Sequence, residues 1–131
     1  MNDMPFTISP SVSNLIVHAE ESGDSWIEFV AWFPVEKKYA HARINLQHEI
    51  GVKMCGMGGE VGGDAIGEVT NSKWLAEINA EQLKYYPGYP DNFKNVRHFY
   101  LVGHDTNVEF LAVSFTWEII QELPNWFGKP E

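Results

Sequence analysis

Cysteine is nearly absent: Cys55 stands alone in 131 residues. No disulfide can form within the chain, and a reducing compartment suits it. Long apolar runs are missing too, since nothing approaches the ~20 residues that a helix needs to cross a bilayer. Residues 1–6 (MNDMPF) show no basic region followed by an apolar core. No secretory leader and no membrane association are expected, and the protein is read as cytoplasmic. Bases are scarce and unevenly placed. Nine Lys and Arg stand against 18 Asp and Glu, a formal net charge of −9. None precedes Lys37, and only Lys129 follows Arg97, so both ends are anionic. Phosphate contacts dominate nucleic-acid affinity, so such a surface disfavours DNA, RNA and acidic membranes. It favours a basic protein partner through electrostatic steering.

Catalytic and cofactor signatures are missing as well. The P-loop pattern does not occur, and the dinucleotide fingerprint fails at Val61, where a third glycine is required after Gly56 and Gly58. The five histidines (His18, His41, His48, His98, His104) never show the His-x-x-x-His spacing, and one cysteine cannot build a thiolate cage. No Gly-x-Ser-x-Gly elbow supplies a nucleophile. No metal and no cofactor is expected.

What is present points to a folded, β-rich chain, with 44% hydrophobic and 21% charged residues. Residues 96–117 organise it. They read as two strands joined by a tight turn at 103–107, where Gly, Asp and Asn supply the turn chemistry. The second strand is apolar on both sides, with Val108, Phe110 and Ala112 alternating against Leu111, Val113 and Phe115, and so belongs in a sheet interior. Upstream, residues 15–20 read as a short strand and 26–33 as a longer one. Residues 39–50 alternate cleanly, with Ala40, Ala42, Ile44 and Leu46 on one face, which means a half-buried strand pairing with 26–33. Residues 1–14 read as an extended lead-in, and 65–70 as a short strand. Asn71 or Ser72 caps a helix near 72–86 that buries Trp74, Leu75, Ile78 and Tyr85, and Pro87 stops it. Residues 117–123 read as an amphipathic tail. The expected fold is α+β: a single domain over 1–131 with a mainly antiparallel sheet, a central hairpin near 97–115 and one helix near 72–86.

Two surfaces carry functional expectations. The first is a docking face for a protein partner, formed by Glu109, Glu118 and Glu122 in the base-free stretch and by the tyrosines Tyr85, Tyr86 and Tyr89. Exposed tyrosines are hot-spot material, and rim carboxylates steer a basic partner. The second is the glycine-rich segment 55–68, with Gly58, Gly59, Gly62 and Gly63, as a lid or ligand loop beside His104 and Asp105. In that pair the Asp could hold the imidazole as a general base, although Asp in such a turn also bonds its own backbone. Cys55 reads as a small core or loop thiol. Together these describe a small acidic interaction domain that binds or inhibits a basic protein, in the manner of an immunity or antidote protein. The alternative is an enzyme or small-ligand binder built on 55–68 with His104 and Asp105. Oligomeric state is left open.

Overall fold

The computed structural model of the chain describes residues 4–8, 14–20, 24–56, 65–85, 94–104 and 106–124. Their elements run Thr7–Ile8 (β1), Ile16–Ala19 (β2), Ser25–Phe33 (β3), Lys38–Gln47 (β4), Gly51–Cys55 (β5), Ile66–Val69 (β6), Lys73–Tyr85 (α1), Arg97–Val102 (β7), Asn107–Ala112 (β8) and Ser114–Glu122 (β9). Every strand pairing among them is antiparallel. The fold is α+β, as the sequence predicts. The strands form two sheets. In the first, β1 and β2 share one edge of β3, followed by β4 and then β9. In the second the order is β5-β8-β7-β6.

One bent ribbon joins the sheets. The β4–β9 pair continues directly into the β5–β8 pair, turning at His48 on one strand and Val113 on the other. Val113 N–H donates to Gln47 C=O and Ile50 N–H to Leu111 C=O, so pairing carries on through the corner. His48 takes a positive φ of 53° to make the turn, a conformation that His tolerates better than most side chains. The two sheets thereby face each other across one core. Ile27, Phe29, Ala31 and Phe33 of β3 and Ala40, Ala42, Ile44 and Leu46 of β4 line it from one side; Phe99, Leu101, Val108, Phe110 and Ala112 line it from the other. Phe99 and Phe110 in the core and half-buried Phe115 against it form an aromatic knot, with ring centroids 5.1–6.0 Å apart.

The hairpin near 97–115 lies inside the second sheet, with β7 and β8 each flanked on both sides and all of β8 buried. Its second strand ends at Ala112, however, because the corner at Val113 hands Phe115 to the first sheet. The predicted amphipathic tail at 117–123 is instead most of β9, whose inward-facing backbone groups pair with β4. Residues 51–55 are a strand that the sequence reading left out, and β1 lies within the predicted lead-in. The helix is near its predicted bounds. Asn71 takes φ 54°, and Ser72 Oγ accepts the Leu75 N–H as an N-cap at 2.9 Å. Trp74, Leu75 and Ile78 are half-buried, but Tyr85 is 66% exposed at the far end. Among the described residues no helix is long and apolar enough to cross a membrane.

Candidate functional site

The outer faces of the two sheets differ. On the second sheet, residues alternate out of the core to give Lys53 and Cys55 on β5, Glu109 on β8, His98 and Tyr100 on β7, and Gly67 on β6. The start of α1 packs on this face: Trp74 meets the His98 ring edge-on at 5.4 Å, and Lys53 sits over its indole at 4.3 Å. Tyr100 crosses Gly67 so closely that a Cβ there would lie 2.6 Å from the phenol oxygen.

A buried hydrogen-bonded chain runs beneath the helix. His98 and Glu109 are both fully enclosed, and Nε2 lies 2.7 Å from Oε1. The other imidazole nitrogen, Nδ1, lies 2.5 Å from Ser72 Oγ. At the far end the Cys55 thiol donates to Glu109 Oε2 at 3.1 Å. With Glu109 ionised, Nε2–H is the donor; in a neutral imidazole Nδ1 then accepts the Ser72 hydroxyl proton, and the Ser72 lone pair takes the Leu75 N–H. Burial, then the hydrogen bond to Glu109 and its charge, push the Cys55 thiol above its ordinary pKa, with Lys53 acting the other way. Ser, His and Glu in this order have the connectivity of a nucleophile, base and orienting acid. The chain ends, however, on the backbone of α1, and its imidazole and carboxylate have no exposed surface. Its chemistry here is to fasten the helix to the sheet.

The outer face of the first sheet is different: among the described residues no helix or strand lies over it. His18 of β2, Trp26 and Glu28 of β3, His41 and Arg43 of β4 and Glu118 of β9 form a cross-strand patch, all partly exposed, with the Glu28 side chain more covered than its ion-pair partners and Glu118 the most open. The His18 imidazole stacks on the Trp26 indole at 4.8 Å, and the Arg43 guanidinium lies over the same ring system at 5.5 Å. Glu28 is the hub. His18 Nε2 and His41 Nε2 (3.2 Å) both approach its carboxylate, and Trp26 Nε1–H donates to it at 3.4 Å. Arg43 Nε lies 2.6 Å from Glu118 Oε1, with its N–H poorly aligned on the oxygen, so the contact is a charge pair rather than a directed hydrogen bond. Further along, Trp32 packs on Tyr39 at 4.7 Å. A cleft of about 410 Å³ opens at the opposite end, lined by Glu20, Asp24, Trp26, Arg43 and Gln47 among others. Carboxylates thus rim a patch of aromatic and cationic side chains that hold one another in place.

The predicted site residues separate. Glu109 is 0% exposed and cannot meet a partner; an interior strand buried on both faces turns it to His98 and Cys55 instead. Glu118 and Glu122 are exposed on β9, beside Arg43 and Lys38. Tyr85 is exposed on α1, remote in sequence and sheet from both. Tyr86, Tyr89, Gly58, Gly59, Gly62, Gly63 and Asp105 lie outside the described residues. His104 is exposed and lines a hollow of about 180 Å³ with Asn14, Leu15 and Thr106, none of them a carboxylate. Gly103, beside it, is demanded by close approach, since a Cβ would lie 2.8 Å from Leu15 Cγ. Among the described residues no His, Cys, Asp and Glu cluster is arranged to hold a metal. Sequence reasoning missed both the Ser72–His98–Glu109 chain and the Glu28 hub. The signal for the first was a carboxylate inside an otherwise apolar strand, which demands a buried partner. No family model, no curated protein and no solved structure matches this chain.

Proposed function

We propose that the protein is a binding domain for a basic protein partner, which it engages through the outer face of the first sheet, and that binding or inhibiting that partner in the cytoplasm is its role. The observation that carries this reading is the patch itself: Trp26, Trp32, Tyr39 and Arg43 stand on a sheet face that no described element covers, next to Glu28, Glu118, Glu20 and Asp24. Trp, Tyr and Arg are the residues that dominate binding energy at protein interfaces. The carboxylates around them, in a chain of net charge −9, select for a cationic surface and speed its approach. The alternative built on 55–68 with His104 and Asp105 has no observation in its favour among the described residues.

The test uses a partner recovered by affinity capture and then purified. Trp32→Ala and Tyr39→Ala should each weaken its binding by about tenfold or more, as truncation of an interface aromatic does, while Tyr85→Ala on α1 leaves it unchanged. The association rate should fall steeply with added salt, because exposed charges are screened over ~8 Å at physiological ionic strength. Binding indifferent to salt and to both substitutions would overturn the reading.

A further inference from the structure

We infer that the outer edge of β9 receives an extended strand from the basic partner, adding a strand to the first sheet. This rests on the reading of the protein as a binder of a basic partner. Of the sheet edges formed by described residues, β9 is the only long one. The opposite edge of its sheet is split between β1 and β2, of 2 and 4 residues, and the second sheet ends in β5 and β6, of 5 and 4. Strand β9 has 9 residues and, among the described residues, pairs only with β4, so alternate N–H and C=O groups point away from the sheet. Short length, charged side chains, bulges and proline are the usual ways of disarming an edge, and on β9 the bulge and Glu122 lie beyond Ile119, leaving Glu118 as the one charge on 114–119. Strand β5 carries Lys53; β9 (SFTWEIIQE) has no lysine and no proline, and its charges are acidic, which a basic strand would meet favourably.

The edge is also apolar. Trp117 is 37% exposed, Ile119 42% and Ile120 44%. Trp117 reaches inward to Phe6 and Phe33, with ring centroids 5.0 and 6.4 Å away, so its exposed remainder is the margin of the core itself. The register shift at His41/Ala42 makes Ile120 a bulged residue, so 114–119 is the uninterrupted stretch and 121–122 pair beyond it. Within that span Thr116 and Glu118 share the outer face with Arg43, while Phe115, Trp117 and Ile119 lie on the core side. An added strand therefore meets a carboxylate on one face and apolar surface on the other. The segment that fits alternates basic and apolar residues. A second copy fits worse, because two chains of −9 repel each other where a basic segment is attracted.

The probe is a capped synthetic peptide of about eight residues that alternates lysine and valine, titrated into the isotopically labelled full chain. Amide shifts and slowed hydrogen exchange should concentrate at 114–119. N-methylation of alternate peptide nitrogens, or Thr116→Lys in the protein, should weaken binding by about tenfold or more, and glutamate in place of lysine should abolish it. Trp32→Ala should leave peptide binding intact, which separates edge pairing from the outer-face contact. Absence of shifts at 114–119 at millimolar peptide, or equal binding by the N-methylated peptide, would overturn the inference while leaving the Trp32 and Tyr39 test standing. Sedimentation showing a dimer with 114–119 already protected would overturn it by making a second copy the occupant.

Discussion

Glu109→Ala puts the buried chain to a quantitative test. The carboxylate is fully enclosed and satisfies two groups, the His98 imidazole at 2.7 Å and the Cys55 thiol at 3.1 Å. Truncation takes the carboxylate away from His98 Nε2 and from the Cys55 thiol and empties the space between β5 and β7. Each donor left unsatisfied costs about 1–3 kcal/mol, so losing the acceptor of both should cost about 2–6 kcal/mol. Total stability for a domain of this kind is about 5–15 kcal/mol, so the loss is a large fraction of it. With a urea slope of ~1–3 kcal/mol/M, the unfolding midpoint should fall by roughly 2 M. Glu109→Gln keeps a carbonyl oxygen for His98 and should cost about 1–2 kcal/mol. Glu118→Ala, half-exposed on β9, should move stability by less than ~1 kcal/mol, because exposed pairs contribute little. The assay is tryptophan fluorescence in urea on the three variants side by side. If Glu109→Ala unfolds within ~0.5 kcal/mol of the parent, as a surface substitution does, the carboxylate is not confined and the chain from Cys55 to Ser72 is refuted.

Other expectations follow from the same contacts. Phe110→Ala opens the aromatic knot with Phe99 and Phe115 and should cost about 3–5 kcal/mol in the same urea assay. Cys55, with its thiol pKa raised, should react with iodoacetamide more slowly than a free cysteine between pH 8 and 9, and Glu109→Gln should speed it by removing the opposing charge; equal rates in parent and variant would count against the contact. Glu68 is held below the usual carboxylate range by its hydrogen bonds from Arg97, of which the Nε–H bond spans 2.9 Å. Its stabilisation is therefore present at neutral pH, above the unfolded-state pKa, and is lost as pH falls through the lower folded value. Half-exposed Arg97 limits the effect to less than ~1 kcal/mol, read as a stability gap between the parent and Glu68→Gln that closes on acidification.

Most of the strand framework was legible in the sequence because alternation is a local property. The faces of 26–33 and 39–47 could be assigned residue by residue, and the hairpin of β7 and β8 follows from a turn between two aromatic, β-branched runs. The corner was not legible. Nothing local at His48 or Val113 announces that one ribbon turns from one sheet into the other, and the positive φ at His48 is set by pairing on both sides of the bend. Strand β9 was hidden for a related reason. At its Ile119–Ile120 pair the period of two slips by one residue, at the place where the sheet inserts a bulge. A pattern with that slip looks amphipathic at helical spacing.

The carboxylates show why a site resists such reading even when a strand does not. Glu28, Glu109 and Glu118 each lie on a strand between apolar neighbours, and alternation turns all three away from the core. What separates them is the next layer. Above Glu109 sits α1, brought over the second sheet by the connection between β6 and β7, and its cap residue Ser72 closes the chain through His98. Above Glu28 and Glu118 no described element lies, so one gathers two imidazoles and an indole into a rigid surface patch and the other pairs with Arg43 at an open edge. Whether a carboxylate serves as a fastening or as a binding group is therefore decided by topology, by which outer face the single described helix happens to cover. Local sequence carries the parity of each residue but not the covering. For the same reason the base-free stretch after Arg97 cannot be treated as one docking face: Glu109 is enclosed within it, while Glu118 and Glu122 remain on its exposed margin.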